Sequence, residues 1–238
     1  MTLRNKSIII TGASKGIGKA LALQLANQGL CLGLVARSET ELLALKKEVE
    51  QAGSSCIIVA GSVADENVAN AITQGMVDAY GKIDILVNNA GYGVFGSTDS
   101  YSAEQWSDVY DTNVKGTFLM CKAALSHMKT AKEGHIINVA SDVARRVFDG
   151  GALYCSSKFA QDAFSMALRK EVRTQGIKIS VVYSGLVDTM FHAEPQGDPS
   201  HDSWLKASDM ADAIQYIMNQ PKHIVIDELM IHPTSQDW

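Results

Sequence analysis

Ser7-Ile8-Ile9-Ile10-Thr11-Gly12-Ala13-Ser14-Lys15-Gly16-Ile17-Gly18 joins an unbroken apolar run to a glycine-rich turn. A short apolar run bounded by turn formers reads as a buried strand. Beyond the turn, Ile17, Ala20, Leu21, Leu23 and Ala26 recur at helical spacing, so 16–29 reads as a helix, and the apolar run 30–36 completes β-α-β. The start of that helix offers backbone N–H groups without intrahelical acceptors and the positive end of the helix dipole, while the glycines let a ligand approach the backbone. Strand, G-x-x-x-G-x-G and helix in this order predict a pyrophosphate cradle made by Gly12, Ser14, Lys15, Gly16, Ile17 and Gly18.

The alternation continues outward from this unit. Helices are expected over 39–52, 65–80, 104–129, 151–174 and 208–219, and strands over 56–60, 83–88, 135–140, 177–183 and within 223–231. About seven strands, several apolar on both faces, predict an α/β fold: a doubly wound parallel sheet with helices on both sides. All four prolines lie at or after Pro195, so nothing earlier interrupts helix or strand. The 238 residues are read as a single domain over 1–238, since a domain takes about 100 to 200 residues. Periodicity lapses only between 186 and 207, where Pro195, Gly197, Asp198, Pro199 and Ser200 favour turns. A substrate-binding loop or lid is expected there.

Composition narrows the function. A net charge of −5 gives no positive field to gather nucleic acid or anionic lipid, so neither is an expected partner. No apolar run approaches the roughly 20 residues that span a bilayer. The first residues lack a signal-peptide pattern, and a cytoplasmic address is expected. Cys31, Cys56, Cys121 and Cys155 form no C-x-x-C pair and the histidines are scattered, so the thiols are read as reduced and no metal site is expected.

Three strand ends carry the remaining signals. After the second strand, folds that prefer NAD place an acid for the ribose 2′-hydroxyl; here Ala36 is followed by Arg37, which with Lys15 suits a 2′-phosphate. The expected cofactor is therefore NADPH/NADP+, with NADH disfavoured. The fourth strand ends in Asn88-Asn89-Ala90-Gly91. There Asn89 can tie neighbouring strands together, while Ala90 and Gly91 leave room for an adenine-ribose moiety. The fifth strand ends at Ser141, and the next helix carries Tyr154 and Lys158 four residues apart, hence on one face.

On these residues the chain resembles the short-chain dehydrogenase/reductase family over essentially its whole length. Thr11 to Gly18 is similar to the T-G-x-x-x-G-x-G loop, Asn88 to Gly91 to N-N-A-G, and Asn113 to the family's helix asparagine. Ser141 with Tyr154-Cys155-Ser156-Ser157-Lys158 is similar to its serine and Y-x-x-x-K pair. The resemblance implies a Rossmann-type fold of the NADP-preferring branch and reversible hydride transfer between NADPH and a ketone or aldehyde carbonyl. It implies a catalytic set in which Tyr154 is the general acid and Lys158 lowers its pKa and holds the nicotinamide ribose. In that set Ser141 orients the substrate oxygen, and Asn113 keeps a water linking Lys158 to solvent. Two departures stand out. Gly61-Ser62-Val63 lacks the usual aspartate, so Ser62 or the Val63 backbone is expected to meet the adenine. Ser184-Gly185 replaces the usual Pro-Gly ahead of Val187 and Thr189, which are expected near the nicotinamide, and that change puts the stiffness of the turn in question.

Expected substrate contacts are Ser141, Val143, Tyr154, Phe191 and Trp204, within an aromatic and apolar wall that suits a medium-sized carbonyl or alcohol. Arg145 and Arg146 read as a solvated pair. The resemblance implies a homodimer or homotetramer built on the helices expected over 104–129 and 151–174. The competing reading is a non-catalytic NADP(H)-binding sensor or regulatory protein on the same fold, against which the complete Ser141, Tyr154, Lys158 and Asn113 set argues.

Overall fold

The computed structural model describes residues 3–192 and 194–237. Seven strands form one parallel sheet: β1 (Ser7–Thr11), β2 (Cys31–Ala36), β3 (Ser55–Ala60), β4 (Ile85–Asn88), β5 (Gly134–Val139), β6 (Ile177–Ser184) and, from the far end of the chain, Glu228–Ile231. Their order across the sheet is β3-β2-β1-β4-β5-β6 and then Glu228–Ile231 at the edge. From β1 the chain first winds one way through β2 and β3, then the other way from β4, so the order reverses between β1 and β4. Doubly wound sheets open a ligand crevice at the carboxyl ends of strands where this reversal occurs.

Successive side chains of β1 point to opposite faces, and all three isoleucines are fully buried. Ile8 and Ile10 pack with Leu21 and Leu25 of α1 (Gly16–Leu25), Leu42 and Leu45 of α2 (Glu39–Gln51), and Met210 and Ile214 of the last helix, Ala207–Met218. Ile9 faces the other way. It joins Ile72 and Met76 of α3 (Glu66–Tyr80), Met120 of Thr117–Ala131, and Leu168 of Ala152–Val172. A strand apolar on both faces is thus what a sheet covered on both sides requires.

Helix starts are handled unequally. Ser38 accepts from the Glu41 N–H ahead of α2, Asp65 accepts from the Asn67 N–H ahead of α3, and Ser102 forms a reciprocal capping box with Gln105 ahead of α4 (Ala103–Tyr110). At α1 the capping position is Lys15, whose side chain caps nothing, so the first-turn N–H groups remain open toward the crevice.

The sequence predicts one helix over 104–129, and here the structure differs. After α4 the backbone runs through a π-helical segment, Asp111–Gly116, before α5 (Thr117–Ala131). The apolar period passes through the insertion unbroken, which hides it; Asn113, four residues after the buried Val109, is fully buried within it. α6 (Ala152–Val172) and α7 (Ala207–Met218) fall close to their expected bounds. The aperiodic segment contains two short parallel strands, β7 (Val187–Asp188) and β8 (Leu205–Lys206), and a 3-10 turn at Pro199–His201. The closing strand, β9 (Glu228–Ile231), is shorter than its apolar run.

Candidate active site

The crevice between β1 and β4 is held by cross-strand hydrogen bonds at its floor. Thr11 Oγ1 accepts from the N–H groups of Asn89 and Ala90, both at 3.0 Å, and Asn89 Nδ2 donates to the carbonyls of Thr11 at 3.0 Å and Gly12 at 3.3 Å. Asn89 therefore ties the two strand ends as expected. Gly12 has φ +63°, and a β-carbon there would lie 2.9 Å from Ala90 Cα; one at Gly18 would lie 2.3 Å from the Gly12 carbonyl oxygen. The glycine turn thus packs without room for side chains, bringing the open N–H groups of α1 to the cleft.

The cleft has a volume of about 970 Å³ and is lined at this end by Gly12, Ser14, Lys15, Gly16 and Ile17, with Ala36 and Arg37 at the tip of β2 and Ser62 and Val63 after β3. Gly18 sits behind the turn as its packing residue. Arg37 is exposed, and Lys15 Nζ lies 3.1 Å from Glu41 Oε1. Ser62 Oγ accepts from the Ala64 N–H at 3.2 Å, fixing the turn that presents Val63. Ala90, Gly91, Gly185, Val187 and Thr189 continue the lining toward the other end. Thr189 closes against the glycine turn: a β-carbon at Gly16 would lie 3.4 Å from its Cβ.

Ser141, Tyr154 and Lys158 meet at that other end, all buried. Burial pushes the Tyr154 phenol well above its ordinary range, opposed by its hydrogen bond with Ser141 and reinforced by the nearby Asp142 carboxylate. Burial also brings the Lys158 ammonium down to about 8. Lys158 Nζ lies 5.8 Å from the Tyr154 ring centroid and donates to the Val139 carbonyl at 3.2 Å and to Gln161 Oε1 at 3.0 Å. Desolvation thus dominates at the Tyr154 phenol, while two of the Lys158 N–H groups are committed to Val139 and Gln161.

Asn113 acts as a clamp. Its Nδ2 donates to the Tyr92 carbonyl and to Ser157 Oγ, both at 2.9 Å, and its Oδ1 accepts from the Tyr92 N–H at 3.1 Å. The π segment thereby fastens the loop after β4 to the first turns of α6.

The wall above Tyr154 is aromatic. Phe95 and Phe191 have ring centroids 5.5 and 5.4 Å from that of Tyr154, and Phe148 lies 5.8 Å from Phe95. Val143 and His192 also line the cleft. Trp204 does not. It stacks on the buried His201 at 3.8 Å between centroids, and His201 Nδ1 is 3.1 Å from Asp188, so both belong to the packing of the 186–207 segment. The two arginines are anchored rather than solvated. Arg145 donates to Tyr183 Oη at 2.7 Å and to Glu228 at 2.9 Å, and Arg146 Nε donates to the buried Asp142 at 2.8 Å.

Three residues escaped the sequence reading: Asp142, Gln161 and Gln236. Gln161 shares a helix face with Tyr154 and Lys158, a spacing the sequence does carry. Gln236 comes from the chain's far end, where no local pattern points to the site.

A family model described as short chain dehydrogenase matches residues 6–199. The chain belongs to the short-chain dehydrogenase family. Its curated relatives include uncharacterized oxidoreductases from Staphylococcus epidermidis, 33% identical over 232 residues, and Staphylococcus aureus strain MRSA252, 30% identical over 231 residues. In each comparison 97% of this chain and 98% of the relative are covered. Among solved structures, an alcohol dehydrogenase from the archaeon Thermococcus sibiricus complexed with 5-hydroxy-NADP superposes with a TM-score of 0.92 at 29% identity. The match covers 98% of this chain and 99% of that one. A metagenomic short-chain oxidoreductase in complex with NADP gives 0.86 at 28% identity, covering 99% and 100%. As a short-chain dehydrogenase the protein is an oxidoreductase, and its open α1 N-terminus, crowded glycine turn and long cleft fit a nicotinamide dinucleotide. Among the described residues no helix is long and apolar enough to cross a membrane.

Proposed function

We propose that the protein is an NADP(H)-dependent carbonyl reductase, interconverting a ketone or aldehyde with its alcohol. The observation that supports this most directly is the convergence of Ser141, Tyr154 and Lys158 on the cleft that begins at the glycine turn. A bound dinucleotide would supply hydride for the carbonyl carbon, and Arg37 and Lys15 would hold its 2′-phosphate and Lys158 its ribose. Tyr154 donates its phenolic proton to the oxygen of the forming alkoxide, a role suited to a group that burial keeps protonated. Ser141 Oγ orients that oxygen, Asn113 fixes the frame of both loops, and the residues over 186–207 cover the substrate as a lid. The Phe95, Phe148 and Phe191 wall favours an apolar or aromatic substrate flank. Exposed Phe118, Phe159 and Met166 on α5 and α6 supply the face of a cytoplasmic homodimer or homotetramer.

The test is absorbance-monitored oxidation of NADPH and NADH against a panel of ketones, aldehydes and diketones. Turnover with NADPH is expected, with Tyr154→Phe losing about 100-fold or more in kcat while keeping NADPH affinity, and Lys158→Ala losing both. Unchanged turnover in Tyr154→Phe would remove the assignment, and NADPH binding without turnover of any carbonyl would favour a sensor.

A further inference from the structure

The buried face of α6 is polar where an ordinary core helix is apolar. Tyr154, Ser157, Lys158, Gln161, Asp162 and Ser165 are all inside. Gln161 is 1% exposed and touches the ammonium of Lys158. Its amide orientation is fixed by its neighbours. Thr117 Oγ1 donates its single proton to the Asn113 carbonyl at 2.8 Å, so it can only accept from Gln161, whose Nε2 lies at 2.9 Å. The amide oxygen is thereby turned to Lys158 Nζ, 3.0 Å away. One directional chain runs from Lys158 through Gln161 and Thr117 to the π segment, joining α6 to the turn that carries Asn113.

We propose that Gln161 is a positioning residue for the reaction, acting through Lys158: its amide oxygen holds the ammonium behind Tyr154 and keeps it charged in a water-poor setting. The inference deepens the reductase reading and rests on it for its consequence in turnover. Lysine has three N–H groups, and Val139 and Gln161 accept two of them, which leaves one for the ribose or the phenol. Among the described residues no carboxylate pairs with Lys158. Around Nζ lie Tyr154 on the same helix, the Val139 carbonyl of β5 and Gly91 after β4, where a β-carbon would lie 3.6 Å away. The carboxylate beyond Tyr154, Asp142, is paired with Arg146. The cation therefore depends on neutral acceptors, and an acceptor that favours the charged form offsets the burial that disfavours it.

The test is a titration of the cofactor-free protein labelled with [13Cε]lysine, the Lys158 resonance being assigned by its loss in Lys158→Arg. A midpoint near 8 is expected for the parent. Gln161→Leu keeps the volume and removes the acceptor, and is expected to lower the midpoint by about one pH unit; Gln161→Glu is expected to raise it by at least as much. In alcohol oxidation, which needs the Tyr154 phenolate, the rising limb of kcat/KM for Gln161→Leu should move to higher pH by a similar interval. Coincident midpoints in parent and Gln161→Leu, or a Gln161→Glu midpoint no higher than the parent's, overturn the proposal. If Gln161→Leu fails to fold, Gln161→Glu alone decides. The titration uses no substrate. Absence of carbonyl turnover with the expected midpoints would therefore count against the reductase reading only, and normal turnover with coincident midpoints against Gln161 only.

Discussion

Arg37 and Lys15 both line the cleft and differ in what holds them. Lys15 Nζ already has Glu41 at 3.1 Å, so a phosphate reaching it competes with a carboxylate; Arg37, at the tip of β2, is exposed and forms no ion pair among the described residues. Guanidinium matches phosphate with two parallel N–H donors, and charge-assisted bonds of this kind contribute about 1.5 to 3 kcal/mol each. Arg37→Ala is therefore expected to weaken NADPH binding about ten- to a hundredfold while leaving NADH nearly unchanged, measured as fluorescence titrations of both dinucleotides. An equal loss for both would mean that Arg37 shapes the loop rather than reading the phosphate. This residue was visible in the sequence because its place is fixed by a strand end. Glu41 was not, because its contact with Lys15 depends on where α2 begins.

The π segment at Asp111–Gly116 and the polar face of α6 depend on one another. Asn113, within the π segment, reaches Tyr92 and Ser157, and Ser157 accepts from Asn113 because its own proton goes to the Tyr154 carbonyl at 2.7 Å. Asn113→Ala removes three hydrogen bonds and leaves the N–H and carbonyl of Tyr92 without this partner in a part-buried site. At about 1 to 3 kcal/mol per unsatisfied group, a loss of about 2 to 4 kcal/mol is expected, seen as a melting point lower by about 5 to 15 °C. Asn113→Asp should retain the acceptor for the Tyr92 N–H but set a buried carboxylate against the Tyr92 carbonyl and Ser157 Oγ, and is expected to be no more stable than Asn113→Ala. A melting point unchanged in Asn113→Ala would show that the clamp carries no load. The strands and helices of this fold were readable because burial on two faces writes long apolar runs. The π segment was not, since one inserted residue leaves the apolar pattern of 104–129 intact and shows only in hydrogen bonding. Gln161 was hidden for the opposite reason: a polar residue in a helix reads as solvent-facing unless a buried partner is already known.

Contacts between distant parts of the chain answer the question raised by Ser184. Without proline, the turn after β6 has no covalent restraint, yet it lies against the site: Ser141 Oγ donates to the Ser184 carbonyl at 3.3 Å. The restraint comes from the chain's last residues. Gln236 Oε1 accepts from the Leu186 N–H at 2.7 Å, Gln236 Nε2 donates to Asp142 at 2.8 Å, and the Gly185 N–H donates to the Ile231 carbonyl at 2.8 Å. β9 pairs with β6 and so delivers the tail to the turn, and one amide then bridges the cofactor side of the cleft to the residue next to Ser141. Fifty residues separate Gln236 from Leu186 and 94 separate it from Asp142, which is why no local spacing reveals the clamp. Gln236→Ala frees the Leu186 N–H and one donor to a buried carboxylate, a cost of about 1 to 3 kcal/mol. Because the released turn carries Gly185, Val187 and Thr189, the loss should appear at the nicotinamide end: NADP+ affinity reduced about fivefold or more, with the melting point lowered by a few degrees. Gln236→Glu, which keeps the acceptor for Leu186 but sets a carboxylate against Asp142, should be worse than Gln236→Ala at neutral pH. A Gln236→Ala protein with unaltered NADP+ affinity would mean that the 184–187 backbone holds its course by packing alone.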